Sequence, residues 1–207
     1  EQFQQDILDI RTWAEKYPQL TPTLEFHITE WGHDSENSAG YDNNYGAAHT
    51  VSAAIEMVGV VERAFVFEIQ DGKDPEGKEL WGRWGLLTHQ SFGSKPKPRY
   101  RALRLLDSLG VQRLQLLGKG TYVKALASKS IDGVYNVVLS NFDSRGRNAE
   151  TVPVTFQNLA PGSYTLKKEY LSKSATTESV VVGIEPLQIF VPLAPYDVAK
   201  ITLTQVN

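Results

Sequence analysis

The chain has 207 residues, with 21 Lys and Arg against 24 Asp and Glu, a net charge of −3. That balance removes the bulk electrostatic case for binding nucleic acid or an anionic membrane. The absence of cysteine removes thiolate metal sites, thiol nucleophiles and disulfides, and no apolar run approaches the ~20 residues of a membrane-spanning helix.

Phe3, Ile7, Ile10, Trp13 and Ala14 recur at helical spacing, and Pro18 and Pro22 end that helix. Leu24–Ile28 alternates as a short strand. By that alternation Leu24, Phe26, Ile28 and Glu30 share one face, and His27 takes the other, against helices. A polar loop spans 29–40. A helix capped by Asp42 is expected to run to about Val61, with Ala47, Val51, Ala54, Ile55 and Val58 as its buried stripe. Tyr41 and Tyr45 are expected to pack at its start. Ala64–Phe67 reads as a second strand, 70–97 as a polar loop, and Arg99–Leu109 as a third helix. Tyr100, Leu103, Leu106 and Leu109 form one side of that helix, and Gly110 is its cap. The four cations of Lys95–Arg101 read as a solvated helix start. Alternating helices and strands imply parallel pairing, yet two strands do not make a covered sheet alone. Residues 1–110 therefore look like part of something larger.

Residues 111–207 carry seven short runs: 122–127, 133–140, 152–156, 163–170, 180–182, 187–191 and 199–204. Turns such as Asp143-Ser144-Arg145-Gly146 and Pro161-Gly162 separate them. The pattern is that of an antiparallel β-sandwich, which would close its own core and fold alone where 1–110 would not.

The chemistry centres on Ile28-Thr29-Glu30-Trp31-Gly32. It sets a carboxylate at the C-terminal end of an apolar strand, where barrels and open α/β sheets bind their ligands. Trp31 and His33 would line a cleft there. Glu68 and Asp71, at the end of the second strand, are further polar candidates there, and Trp81 and Trp84, in the long loop after it, are aromatic ones. His89, in a loop beside the cleft, is a further contact candidate, and His49 on its helix reads as structural.

Ile28–Gly32 resembles the nucleophile-bearing seventh strand of clan A glycoside hydrolases, and Ala64–Asp71 their eighth. Trp84-Gly85-Leu86-Leu87-Thr88 followed by Lys97–Leu103 is similar to the end of the family 39 barrel. Gly133–Asn141 with Leu159–Tyr164 resembles that family's accessory sandwich. The resemblance implies the last two strand–helix units of a (β/α)8 barrel over 1–110 and a β-sandwich over 111–207. It implies a retaining glycosidase acting on oligo- or polysaccharide, with Glu30 as nucleophile, no cofactor and no metal, and it leans toward a secreted or periplasmic setting. One departure stands out: Glu68 lies where such enzymes often carry an aromatic residue. The acid/base of the clan sits in an Asn-Glu pair ending the fourth strand, and none precedes Glu30 here; Asn148-Ala149-Glu150 lies in the sandwich. The chain is therefore expected to be a fragment, inactive alone. Its expected partners are the N-terminal part of its own barrel or a second copy, with a carbohydrate substrate and neither nucleic acid nor membrane. Two other readings remain open: a non-catalytic sandwich binding polysaccharide or protein through a row of exposed aromatics, with the front half as a docking segment, and a self-assembling half-barrel without hydrolysis.

Overall fold

A computed structural model describes residues 2–19 and 24–206; Pro22 and the side chain of Phe3 lie outside it. Helix α1 (Gln2–Ala14) leads to strand β1 (His27–Trp31), a 3₁₀ turn (Ala39–Asp42), helix α2 (Asn44–Met57) and strand β2 (Arg63–Val66). The two strands pair in parallel with α2 as the crossover between them. After a long loop, helix α3 (Pro98–Asp107) precedes eight strands: β3 (Gln112–Arg113), β4 (Val123–Lys129), β5 (Tyr135–Asn141), β6 (Glu150–Phe156), β7 (Gly162–Tyr170), β8 (Thr176–Val182), β9 (Leu187–Leu193) and β10 (Val198–Gln205).

The seven runs read after Gly110 correspond to β4–β10, and β3, with two residues, is additional. All pair antiparallel: β3-β4-β5-β10-β7-β8 in one sheet and β6-β9 in the other. Side chains from both sheets, among them Leu139, Phe156, Tyr164, Leu166, Val191, Leu193, Ile201 and Leu203, form the sandwich core. Period-2 alternation at β6 and β9 is what makes their share of that core legible. At the corner before β6, Asp143 accepts from the backbone N–H of Arg145 and Arg147 and from Asn148 Nδ2 at 2.6–3.1 Å, closing the turn.

The central strands β5 and β10 are buried on both faces. Their outer face presents Val138 and Val198 to Ala47, Ala48 and Val51 of α2 and Ala102 of α3. Polar contacts fix the same seam. Ser140 Oγ donates to the Ala48 carbonyl at 2.8 Å, Ser52 Oγ donates to Ser140 Oγ at 3.0 Å, and Lys200 Nζ donates to Ser108 Oγ at 2.6 Å. Lys124 pairs with Glu56. Gly110 lies flat on the β4–β5 turn, where a Cβ would meet the Lys129 carbonyl at 2.3 Å. The sandwich thus holds its own core, but cut away at residue 110 it would wet Val138 and Val198. The seam is as much a part of the fold as either half.

Several local expectations need correcting. Helix α2 is capped by Asn43, whose Oδ1 accepts from Tyr45 N at 2.8 Å, rather than by Asp42. It ends at Met57 and leaves Val58 exposed. Helix α3 buries Ala102 and packs Leu105, Leu106 and Leu109 on α2 and the sandwich; its cap is Ser108, not Gly110. Among the described side chains of α1 only Ile7 is buried, while Ile10 and Trp13 are exposed. That helix is docked by Arg11, which donates to the Val60 carbonyl at 2.8 Å, pairs with Glu62 and lies over the Phe26 ring at 4.3 Å.

Candidate active site

Both parallel strands point their C-terminal ends the same way. Trp31 pairs with Val66, and the Phe67 N–H donates to the Trp31 carbonyl at 3.0 Å, so Glu30 and Glu68 stand at neighbouring strand ends. The strand begins at His27 because cross-strand pairing begins there, with Arg63. An irregularity between Ile28 and Trp31 breaks the alternation. Ile28 and Trp31, three residues apart, consequently pack together with Ala53 and Met57 of α2 and with Ala64 and Val66. This overturns the shared face read for Ile28 and Glu30. It also overturns the helix-facing place read for His27, which is exposed and bonded to Glu25 at 2.8 Å.

Glu30 is exposed. Trp31 is buried on the α2 side. The other side of the β1–β2 pair and its continuation carry Phe65, Phe67 and Ile69, exposed at 53, 40 and 72%. An apolar strand face with that exposure is what the strand ends of an incomplete barrel would show. Glu68 is half-buried on this segment; burial raises its pKa first and Asp71 raises it further, while Lys97 opposes.

Asp71 is buried. Its Oδ1 accepts from Lys97 Nζ at 2.7 Å and from Gly85 N at 3.0 Å, and its Oδ2 is enclosed without a hydrogen bond. Burial pushes the carboxyl up despite Lys97. The approach of Gly85 is so close that a Cβ would meet Asp71 N at 2.2 Å. Trp84 Nε1 donates to the Glu36 carbonyl at 3.1 Å, and its ring lies 6.1 Å from that of Phe67. Trp81 is exposed and lies over Gly72. His89 caps a 3₁₀ turn by accepting from Ser91 N.

The residues missed in the sequence are Lys97 and Arg99. Read as part of a solvated start, both are buried. Lys97 Nζ lies 2.6 Å from Asp42 and 2.7 Å from Asp71, joining the loops that follow β1 and β2. Arg99 is fully enclosed. It donates to the Trp84 carbonyl at 2.8 Å, the Phe67 carbonyl at 3.4 Å and Thr50 Oγ1 at 3.2 Å, and it lies over the Tyr41 ring at 4.7 Å. Burial lowers its pKa to about 10. A signal for them existed. Cations at a helix N-terminus oppose the macrodipole, so two flanking Pro98 require acidic or carbonyl partners.

His33 is stacked on Tyr41 with ring centroids 3.8 Å apart, its side chain 2% exposed, and it lies 5.9 Å from His49. Tyr41 donates to the Asp34 carbonyl at 2.5 Å. Tyr41 and Tyr45 pack around the start of α2 as read. His49 is held at a pKa of about 4 by burial first, then by the charges of His33, Arg99 and Lys124. His33 is lowered as well, again chiefly by burial.

A pH dependence follows. The unfolded chain protonates His49 near 6.5, and the folded chain resists until about 4. His49 therefore leaves stability untouched above pH 6.5, removes it progressively as pH falls from 6.5 to 4, and removes about 3 kcal/mol in full below that. Glu68 and Asp71, raised in the fold, act in the opposite sense at the acid end. The difference between the parent chain and His49→Gln isolates the effect. The parent's urea midpoint should fall relative to the variant's between pH 7 and pH 4; parallel curves would reject the assignment.

No protein-family model and no curated protein sequence matches this chain. Solved structures do. A glucosidase from Croceicoccus marinus superposes with a TM-score of 0.79 at 16% identity, over 99% of this chain and 50% of its own. A monomeric β-xylosidase from Caulobacter crescentus gives 0.76 at 18%, over 98% and 49%. The GH39 enzyme from Xanthomonas axonopodis pv. citri gives 0.73 at 17%, over 97% and 48%. The chain spans about half the length of the structures it matches. At these identities the likeness is one of fold: the end of a barrel carrying an antiparallel β-sandwich.

Proposed function

We propose that this chain is the C-terminal part of a retaining glycosidase acting on oligo- or polysaccharide, in which Glu30 is the nucleophile. The observation that carries the reading is the placement of Glu30: an exposed carboxylate at the C-terminal end of a parallel strand, beside Glu68, in a glycoside-hydrolase fold. In the complete barrel Glu30 attacks the anomeric carbon as the glycosidic bond breaks, giving a glycosyl-enzyme. A carboxylic acid from the remaining units, about 5–5.5 Å away, protonates the leaving oxygen and then takes a proton from the water that releases the sugar. Glu68, with Trp81 and Trp84 on the long loop, supplies hydrogen bonds and stacking surface; Asp71 and His33 act from within the wall behind them. No cofactor enters these steps.

The partner is the rest of the barrel. Phe65, Phe67 and Ile69 on the sheet face and Ile10 and Trp13 on α1 are the apolar groups that further strand–helix units would cover. Leaving a few hundred Å² of such surface wet costs several kcal/mol, at about 25 cal/mol per Å². The sandwich gives the binding-module reading less support. Its exposed aromatics, Tyr122 just before β4 and Phe190 in β9 of the other sheet, form no row. Co-expression with the N-terminal units of a family 39 barrel, followed by size exclusion with light scattering, tests the proposal. A complex that hydrolyses aryl β-xylosides or β-glucosides, with the chain inactive alone, is the expected result. A lone monomer that turns over either substrate would reject it.

A further inference from the structure

A groove of about 790 Å³ opens between the start of α2 and the sandwich, past the loop that leaves β1. Its volume is in the ~300–1,000 Å³ range of small-molecule sites. Asp34, Ser38, Asn44 and Tyr45, Pro98 at the start of α3 and Tyr196 of the turn before β10 line it. Tyr196 is the sandwich's contribution to the lining.

We infer that this groove binds a sugar unit of a neutral oligosaccharide, as a site separate from the strand-end carboxylates. The inference rests on the reading of the chain as part of a carbohydrate-active protein.

Three features select the ligand. The first is charge. The lining holds two carboxylates, Asp34 and Asp42, and no cation. Asp42 is turned to Lys97 and Arg83, and Asp34 is about one-third exposed. Phosphates and uronates are therefore disfavoured, while a polyol that donates hydrogen bonds to carboxylate and amide oxygens fits. The second is the pairing of aromatic and polar surface. Tyr45 and Tyr196 meet at 5.2 Å and give a rigid apolar patch rimmed by hydroxyl and amide groups, the combination that sugar C–H and O–H faces require. The third is preorganisation. Ser38 Oγ accepts from Gly40 N, Asp34 Oδ1 from Glu36 N, and Tyr196 donates to the Ser144 carbonyl. The Tyr45 ring is wedged edge-on against His33 and Phe142. Little side-chain entropy is left to lose on binding.

The test uses the 207-residue chain with xylotetraose and cellotetraose, read by amide NMR shifts and calorimetry. Saturable shifts at Asn44, Tyr45 and Tyr196 are expected. Asp34→Asn and Asn44→Ala should each weaken binding by about five- to tenfold, the loss of one hydrogen bond, with Glu30→Gln unchanged. A tetragalacturonate should not bind. The inference is overturned by an absence of shifts with both neutral sugars, by equal binding of the uronate, or by shifts confined to the strand ends. Its failure is distinguishable from that of the parent reading. An empty groove in a chain whose barrel complex still depends on Glu30 removes only the groove. A filled groove in a chain whose complex has no turnover supports the groove and removes only the nucleophile.

Discussion

Glu30→Gln, in a complex that restores the missing barrel units, should abolish glycosidase turnover while leaving the melting temperature where it was. The two halves of that expectation have separate causes. Glu30 is exposed at a strand end and belongs to none of the buried clusters, so replacing its carboxylate by an amide falls among surface substitutions worth no more than about 0.5 kcal/mol. The chemistry, in contrast, loses its covalent step. The amide is a poor nucleophile at the anomeric carbon and carries no charge to match the oxocarbenium-like transition state. Losses on the order of 10⁴–10⁶-fold accompany removal of members of such a catalytic set. A mechanism-based 2-fluoroglycoside should also label the peptide that carries Glu30. Labelling at Glu68 instead, or retained turnover in the Gln variant, would move the nucleophile to the neighbouring strand end.

What could be read from the sequence followed from what is local. The strands β4–β10 announce themselves as short β-branched runs, alternating at β6 and β9 and with successive apolar residues where β5 and β10 are covered on both faces, set between turns such as the one Asp143 closes. The two parallel strands were visible as apolar runs between helices. Their side-chain directions were not, because the irregularity between Ile28 and Trp31 is set by pairing with β2, 35 residues away. A one-residue slip in a strand exchanges its faces. Trp31 lies on the helix side for that reason; His27, ahead of the irregularity, faces solvent because its neighbour Ile28 takes the α2 side. The stripe on α1 misled in a different way: Ile10 and Trp13 do recur at helical spacing, yet both are exposed in the structure. Lys97 and Arg99 were hidden by a sound generality, that cations lie outside. Only the long-range meeting of α3 with Asp42, Asp71 and the loop carbonyls of Phe67, Arg83 and Trp84 makes their burial possible.

That meeting gives the largest expected stability effect. Arg99→Met should lower the stability of the chain by about 3 kcal/mol, in the range found when one partner of a buried charged cluster is removed. The methionine fills most of the volume and keeps contact with Tyr41 and Gly46, so the loss is chiefly polar. The carbonyls of Phe67 and Trp84 and the hydroxyl of Thr50 would each lose a donor, and a buried acceptor left bare costs ~1–3 kcal/mol. For a chain of this size that corresponds to about 6–12 °C in melting temperature. Arg99→Lys should recover only part of it, since an ammonium cannot place planar donors on two carbonyls and a hydroxyl at once. Arg101→Met, two residues along the same helix and exposed, is the control and should be silent. The consequence for function follows from which carbonyls are involved: Phe67 precedes Glu68, and Trp84 lies on the loop across from it. Loss of Arg99 should therefore free the Glu68 segment before the fold as a whole is lost, seen as Trp84 fluorescence changing at a lower temperature than the sandwich strands melt by circular dichroism. A single coincident transition, or a loss below about 1 kcal/mol, would show that Arg99 fills space and holds nothing.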